Sequence, residues 1–267
     1  MLEGKLLIVP TWGAADAALV ALDMESGDEV WHALGDRPNY SSPIVIDQAG
    51  RRVLVLWTGD RVVGVAPEHG ALLWEHPFPS KNLPIGIASP LVAGDKLFLS
   101  SYYDGCLLLE LAAQETAVRE LWRRRGPNEL TTDGLHCLNG TPIAAGEHLY
   151  GVDTYGELRC LRLADGARVW EDRRAVPRAH YATIHMVENE SDVWMQNERG
   201  DLILAQLSPK GYLEIDRGHL LDPTPGTLER RGGVAWSHPA FAGKCIFARN
   251  DTVLVCDVHR AGDLLDQ

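Results

Sequence analysis

The stretch Leu158–Trp170, Leu-Arg-Cys-Leu-Arg-Leu-Ala-Asp-Gly-Ala-Arg-Val-Trp, constrains the fold most, because its design recurs along the chain. It reads as a strand, a glycine turn and a second strand ending on tryptophan. The same register returns at Leu19–Trp31, at Val62–Trp74 and, in weaker form, at Leu202–Ile215. In each copy a glycine (Gly27, Gly70, Gly166, Gly211) stands four residues before the terminal apolar residue. A small residue (Ala21, Gly64, Cys160, Ala205) stands ten residues before it. Ser26-Gly27 and Asp165-Gly166 put glycine where a hairpin needs positive φ, which glycine adopts without a Cβ clash. Val30-Trp31, Leu73-Trp74 and Val169-Trp170 supply the β-branched and aromatic residues that suit a half-buried pleat. The small residue leaves room for a bulky neighbour, and size alternation assigns that room to the tryptophan of an adjacent copy.

A second motif precedes the hairpin. It is a Ser/Thr-Pro or His-Pro step, an apolar pair, a turn and an apolar strand. Its copies begin at Ser42-Pro43, Ser89-Pro90, Thr141-Pro142 and His238-Pro239. The strands that follow the turn are predicted at Lys96–Ser101, His148–Asp153 and Cys245–Asn250. A full unit therefore holds four short strands, and Trp31, Trp74, Trp122 and Trp170 follow one another at intervals of 43, 48 and 48 residues. This period points to an all-β propeller of four-stranded blades rather than a sandwich, since radial stacking covers both faces of every sheet. About six units fall at residues 4–37, 38–84, 85–130, 135–180, 181–234 and 235–258, in a single propeller domain over 1–267. In the fifth, Met186-Val187 replaces the proline step and Ile215 replaces the tryptophan. Gly126–Gly134 reads as a polar insertion, Asp222–Gly233 as a loop and Asp263–Gln267 as a frayed tail.

Closure has two solutions in the sequence. The first unit is expected to lack its innermost strand and the last its outermost. Residues 235–241 could complete the first unit and close a five-bladed ring. Alternatively the six units form an incomplete ring that self-associates through exposed strand edges, and this is the expectation adopted.

Composition excludes several function classes. The 267 residues are 45% hydrophobic and 23% charged, as in soluble globular proteins. No apolar run is long enough to span a bilayer as a helix, so no direct membrane insertion is expected, and residues 1–20 show no signal-peptide pattern. A net charge of −12 opposes binding to nucleic acid or anionic lipid. Trp122–Arg125 and Arg230-Arg231 are local basic spots, read as solvated loops. The five cysteines show neither Cys-x-x-Cys spacing nor adjacency, which argues against a disulfide framework or a zinc site. Cys160 fills the small-residue register and reads as core. There is no phosphate-binding glycine loop and no nucleophile elbow.

The run Leu19-Val20-Ala21-Leu22-Asp23-Met24-Glu25-Ser26-Gly27-Asp28-Glu29-Val30-Trp31, with the Ser-Pro step ahead of its counterparts, resembles the pyrroloquinoline-quinone (PQQ) repeat. The resemblance covers nearly the whole chain. That family includes quinoprotein alcohol dehydrogenases, a barrel-assembly lipoprotein of the bacterial outer membrane and many secreted propellers. It implies an eight-bladed ring, of which this chain would be a portion, and a periplasmic or secreted location. The enzymatic branch uses PQQ, calcium, an aspartate base and often two adjacent cysteines. This chain has no Cys-Cys and no segment matching the calcium ligands or the aspartate. The expectation is a non-catalytic binding or scaffold module without a cofactor. The alternative, with PQQ and calcium, is a quinoprotein dehydrogenase-like enzyme or a relative that has lost activity.

What remains is one rim. Loops leading into the innermost strands carry Arg37, Asn39, Tyr40, Asn82, Asp133, His136, Asn139, His180, Tyr181, Trp236 and His238. Repeat register brings these to one end of a central channel, where a protein, peptide or glycan partner would meet them. His136, His180 and His238 could converge on a metal or ligand, or could simply hydrogen-bond neighbouring loops and waters. His185 and His238 take related places in the innermost strands of successive units.

Overall fold

Alternation of apolar and polar residues between glycine turns becomes strand throughout. A computed structural model describes residues 1–11, 16–225 and 232–258, and among them every regular element is a strand. No helix among the described residues is long and apolar enough to cross a membrane. The chain divides into two compact units, Met1–His136 and Cys137–Gln267.

The first unit holds three four-stranded antiparallel meanders. They are β1 (Leu2–Glu3), β2 (Leu6–Pro10), β3 (Leu19–Asp23) and β4 (Glu29–Ala33); β5 (Ile44–Gln48), β6 (Arg51–Trp57), β7 (Arg61–Val65) and β8 (Leu72–Pro77); and β9 (Leu91–Ala93), β10 (Lys96–Ser101), β11 (Gly105–Leu111) and β12 (Val118–Arg124). The second unit holds β13 (Ile143–Ala145), β14 (His148–Val152), β15 (Leu158–Arg162) and β16 (Arg168–Asp172), then β17 (Ile184–Asn189), β18 (Asp192–Asn197), β19 (Asp201–Ser208) and β20 (Gly211–His219). Its last sheet has three described strands, β21 (Ala240–Ala242), β22 (Cys245–Arg249) and β23 (Leu254–Val258). The tail Asp263–Gln267 and Arg230-Arg231 lie outside the described residues.

One expectation about the sheets changes, and the alternative in which residues 235–241 complete the first unit fails. The first sheet does have an innermost strand, since Leu2 and Glu3 pair with Leu7 and Leu6. Two residues are too few for alternation to reveal. Residues 240 and 241 pair with Phe247 and Ile246 in their own sheet, so they do not complete the first one. The basic run is also corrected. Trp122–Arg124 belong to β12 rather than to a loop, and Arg123 and Arg124 pair with Glu120 at 3.0 Å and Asp133 at 3.2 Å.

The hairpin registers explain the repeat. Ala21 stands opposite Trp31, Gly64 opposite Trp74 and Cys160 opposite Trp170. The small residue therefore makes room for the indole of its own hairpin, not for that of an adjacent copy. A Cβ on Gly64 would lie 2.2 Å from Trp74 Cε2. One residue further on, the register slips by one in each of the five hairpins, leaving Val30, Leu73, Leu121, Val169 and Ile215 in β-bulges. In the fifth copy Leu204 faces Asp216 and Ala205 faces Glu214, so the tryptophan position belongs to Asp216 and Ile215 sits exposed in the bulge. Trp31 and Trp74 are buried, while Trp122, which faces Leu108 rather than a small residue, and Trp170 are partly buried.

Three of these indoles, Trp31, Trp74 and Trp170, reach toward the following sheet. Trp31 Nε1 donates to Pro67 O at 3.2 Å, and Trp170 Nε1 donates to Ser208 O at 2.8 Å. Trp74 Nε1 donates to Gln48 Oε1 at 2.9 Å, and Gln48 Nε2 passes the link to Ala117 O at 2.6 Å. Gly70 has two reasons to be glycine: its φ is +70°, and a Cβ would lie 2.6 Å from Trp31 Cε3. Between sheets lie apolar clusters: Ile8, Leu19, Leu54 and Val63; Val55, Val62, Leu97 and Leu107; and Tyr150, Leu158, Ile184 and Met195. Each such side chain contributes roughly 1.5–3 kcal/mol by leaving water.

Candidate functional site

In the first unit, each connection between successive sheets leaves an outermost strand and leads into the next innermost one. The connection after β4 is pinned by Arg37 and Asn39. Arg37 donates from Nε to Asp60 Oδ1 at 2.7 Å and from Nη2 to Gly59 O at 2.9 Å and Ser80 O at 3.3 Å. For Asp60, burial works against the charged form, but the backbone N–H and side chain of Arg37 hold its carboxyl below the usual value. Asn39, buried, accepts from Gly86 N at 2.7 Å and donates to Thr58 O at 3.3 Å. These two residues thus tie together the connections that carry Tyr40 and Asn82. Tyr40 is 53% exposed, and Asn82 is exposed beside Leu83, which is 65% exposed. A cavity of about 510 Å³ opens next to Tyr40, lined by Asn39, Ser41 to Pro43, Met1 and Ile8 to Pro10.

After β12, Asp133 pairs with Arg124. His136, 1% exposed, sits between Tyr102 O at 2.9 Å and Gly126 N at 3.4 Å. One ring nitrogen donates to the carbonyl and the other accepts from the amide, so this histidine fastens a loop. The loop presents Leu130, which is 63% exposed.

In the second unit, Asn139 Nδ2 donates to Thr183 Oγ1 at 3.2 Å, and Thr183 Oγ1 donates to Tyr181 O at 3.0 Å. His180 is exposed and packs on the rings of Tyr181 and Tyr155, with centroids 3.6 and 5.3 Å away. Tyr181 takes a positive φ of 66°, held by its N–H donating to Thr154 O at 3.0 Å. Glu198, fully buried, accepts from Thr183 N at 3.1 Å, and its carbonyl accepts from Ala235 N at 2.8 Å. The chain of contacts then reaches Trp236, whose carbonyl accepts from His185 Nε2 at 2.9 Å. His238 lays its ring against His185, with centroids 3.8 Å apart. Burial pushes the His185 imidazolium down to about 4, with nearby His238 adding to the effect; burial also lowers His238. Both rings are therefore neutral at pH 7.

The structure thus joins Arg37 and Asn39 to the Asn82 loop, Asn139 to Tyr181 and His180, and Trp236 to His238. It uses His136, His180 and His238 in three different local settings. Gln196, Glu198 and Thr183 belong to the second cluster, yet none stood out in the sequence. The only signal for them was the polar run Gln196-Asn197-Glu198 closing a strand. Among the described residues, no group of three or more His, Cys, Asp or Glu side chains is placed to hold a metal ion.

Comparison with known proteins accords with the repeat. The model of a family described as "Outer membrane protein assembly factor BamB" matches residues 1–172. A curated relative, outer membrane protein assembly factor BamB of Shewanella oneidensis, is 26% identical over 161 residues, which span 59% of this chain and 39% of that protein. Among solved structures, BamB from Moraxella catarrhalis superposes with a TM-score of 0.63 at 16% identity, over 96% of this chain and 70% of that one. A europium-containing methanol dehydrogenase gives 0.60 at 10% identity, over 93% and 60%. At such identities these structures speak for the fold, an all-β propeller of about six blades here.

Proposed function

The chain belongs to the family of outer membrane protein assembly factor BamB, and from that premise we propose that it is a non-catalytic propeller module that holds a protein partner during outer-membrane assembly, on the periplasmic side. The match of the family model over residues 1–172 carries this reading. The connections of the first unit support it. Tyr40, Leu83 and Leu130 stand exposed in three topologically equivalent loops, each anchored from below by buried hydrogen bonds. Tyrosine on a fixed backbone suits a protein surface, and the two exposed leucines, which offer a glycan no hydrogen bonds, favour protein over glycan. The cavity beside Tyr40 is of a size to receive an anchoring side chain.

The test is site-specific photo-crosslinking in the source bacterium. A photoreactive residue at position 40, 83 or 130 is expected to give a discrete adduct with a protein of the assembly machinery. Position 24, an exposed methionine in the β3–β4 turn, serves as the control. Adducts no stronger at the three loops than at position 24 would exclude this face. With the captured partner purified, Tyr40→Asp combined with Leu83→Asp is expected to weaken binding about thirtyfold without changing thermal unfolding.

The same reading expects no cofactor chemistry. PQQ titrated in the presence of calcium should give no saturable absorbance change and no dye-linked alcohol oxidation. Calcium-dependent turnover would return the chain to the dehydrogenase branch.

A further inference from the structure

His185 and Gln196 stand directly opposite one another on β17 and β18, so their side chains share one face of the fifth sheet. They are 4% and 1% exposed. The Nε2–H of His185 is committed to Trp236 O, which leaves the lone pair on Nδ1. Among the described residues Nδ1 has no hydrogen-bond partner, and neither end of the Gln196 amide has one. Buried polar atoms are rarely left unmatched, and here two acceptors and a donor are unmatched on neighbouring side chains. His238 lies against His185 and is open to solvent, which gives a way in.

We propose that His185 Nδ1, a ring nitrogen of His238 and Gln196 Oε1 form a three-ligand site for zinc at the seam between the fifth and sixth sheets. Imidazole nitrogen is a preferred ligand of this ion, and three protein ligands leave a fourth position for water. A ligating histidine characteristically donates its other N–H to a carbonyl, as His185 does to Trp236. The rings touch at a tilt of 36°, and binding requires the exposed His238 to turn a ring nitrogen toward the lone pair of His185. Zinc–nitrogen bonds of about 2.0–2.1 Å close the site.

The experiment uses the full chain without a histidine tag, stripped with chelator and titrated with zinc by calorimetry at pH 7.5. Cobalt(II) absorbance serves as a second readout. One ion per chain is expected, with a tetrahedral cobalt spectrum. His238→Ala, at an exposed position, should leave thermal unfolding in chelator unchanged and weaken zinc binding at least about tenfold. His185→Gln should do the same to binding. Absence of saturable one-to-one binding overturns the proposal. So does binding that survives His238→Ala undiminished, since surface carboxylates or other histidines would then hold the ion.

Discussion

Trp74→Ala is expected to destabilise the chain by about 3–5 kcal/mol in chemical denaturation, the range for removing a buried indole. The upper part of that range applies, for two reasons. Gly64 lies beneath the ring with no side chain to spread into the void. Gln48, itself buried, loses the N–H that satisfies its Oε1, and an orphaned buried acceptor costs about 1–3 kcal/mol. Trp122→Ala, at a partly buried indole facing Leu108, should cost clearly less. A loss below about 1 kcal/mol for Trp74→Ala, or equal losses at the two sites, would break the account of the hairpin.

Arg159→Leu should cost a similar amount for a different reason. Arg159 is 4% exposed and bridges Asp153, 1% exposed, at 3.0 Å and Glu171 at 3.0 Å. Leucine fills much of the volume but strips Asp153 of the guanidinium that neutralises it. Breaking a buried pair from one side costs about 3–5 kcal/mol. Burial pushes the Glu171 carboxyl up, while Arg159, with Arg168 and Arg173, pulls it down further, so its folded value lies below the ordinary one. A carboxyl depressed in the folded state adds stability above its unfolded value near 4.3, and that stability fades as the pH falls through the folded value. The wild-type chain should therefore lose stability below about pH 4, and Arg159→Leu should lose less of it there. Asp153→Asn added to Arg159→Leu is expected to restore part of the deficit. A single variant as stable as wild type at pH 7 would sink the argument.

The sequence carried the strands well, because a pleat with one face buried must alternate and a tight turn must hold glycine. β10 falls at Lys96–Ser101, as the alternation requires. It failed where spacing along the chain and spacing across the sheet diverge. Counting from Gly211 lands on Ile215, but in this hairpin the bulge falls four residues after the glycine instead of three, so Ile215 occupies the bulge and Asp216 takes the place. Nothing in a count of residues reveals a bulge. At the rim, residue types were legible and roles were not. Asn39 and Tyr40 are neighbours, yet one is buried as a fastener and the other faces solvent. The difference is made by Gly86, 47 residues away from Asn39. The pairing of His185 with Gln196 is likewise a matter of strand register, visible only once β17 and β18 are laid side by side.

The tryptophan latches give the molecule a direction. Trp31 holds Pro67, Trp74 holds Ala117 through Gln48, and Trp170 holds Ser208, always from one sheet to the hairpin of the next in sequence. Damage to one copy is therefore inherited by its successor rather than its predecessor. A chain built this way can lengthen by duplication at low risk, because each added copy brings its own clasp and needs from the newcomer only a free carbonyl. The same economy explains how the fifth copy could give up its tryptophan. It still receives the clasp of the fourth, since Trp170 reaches Ser208 in its hairpin.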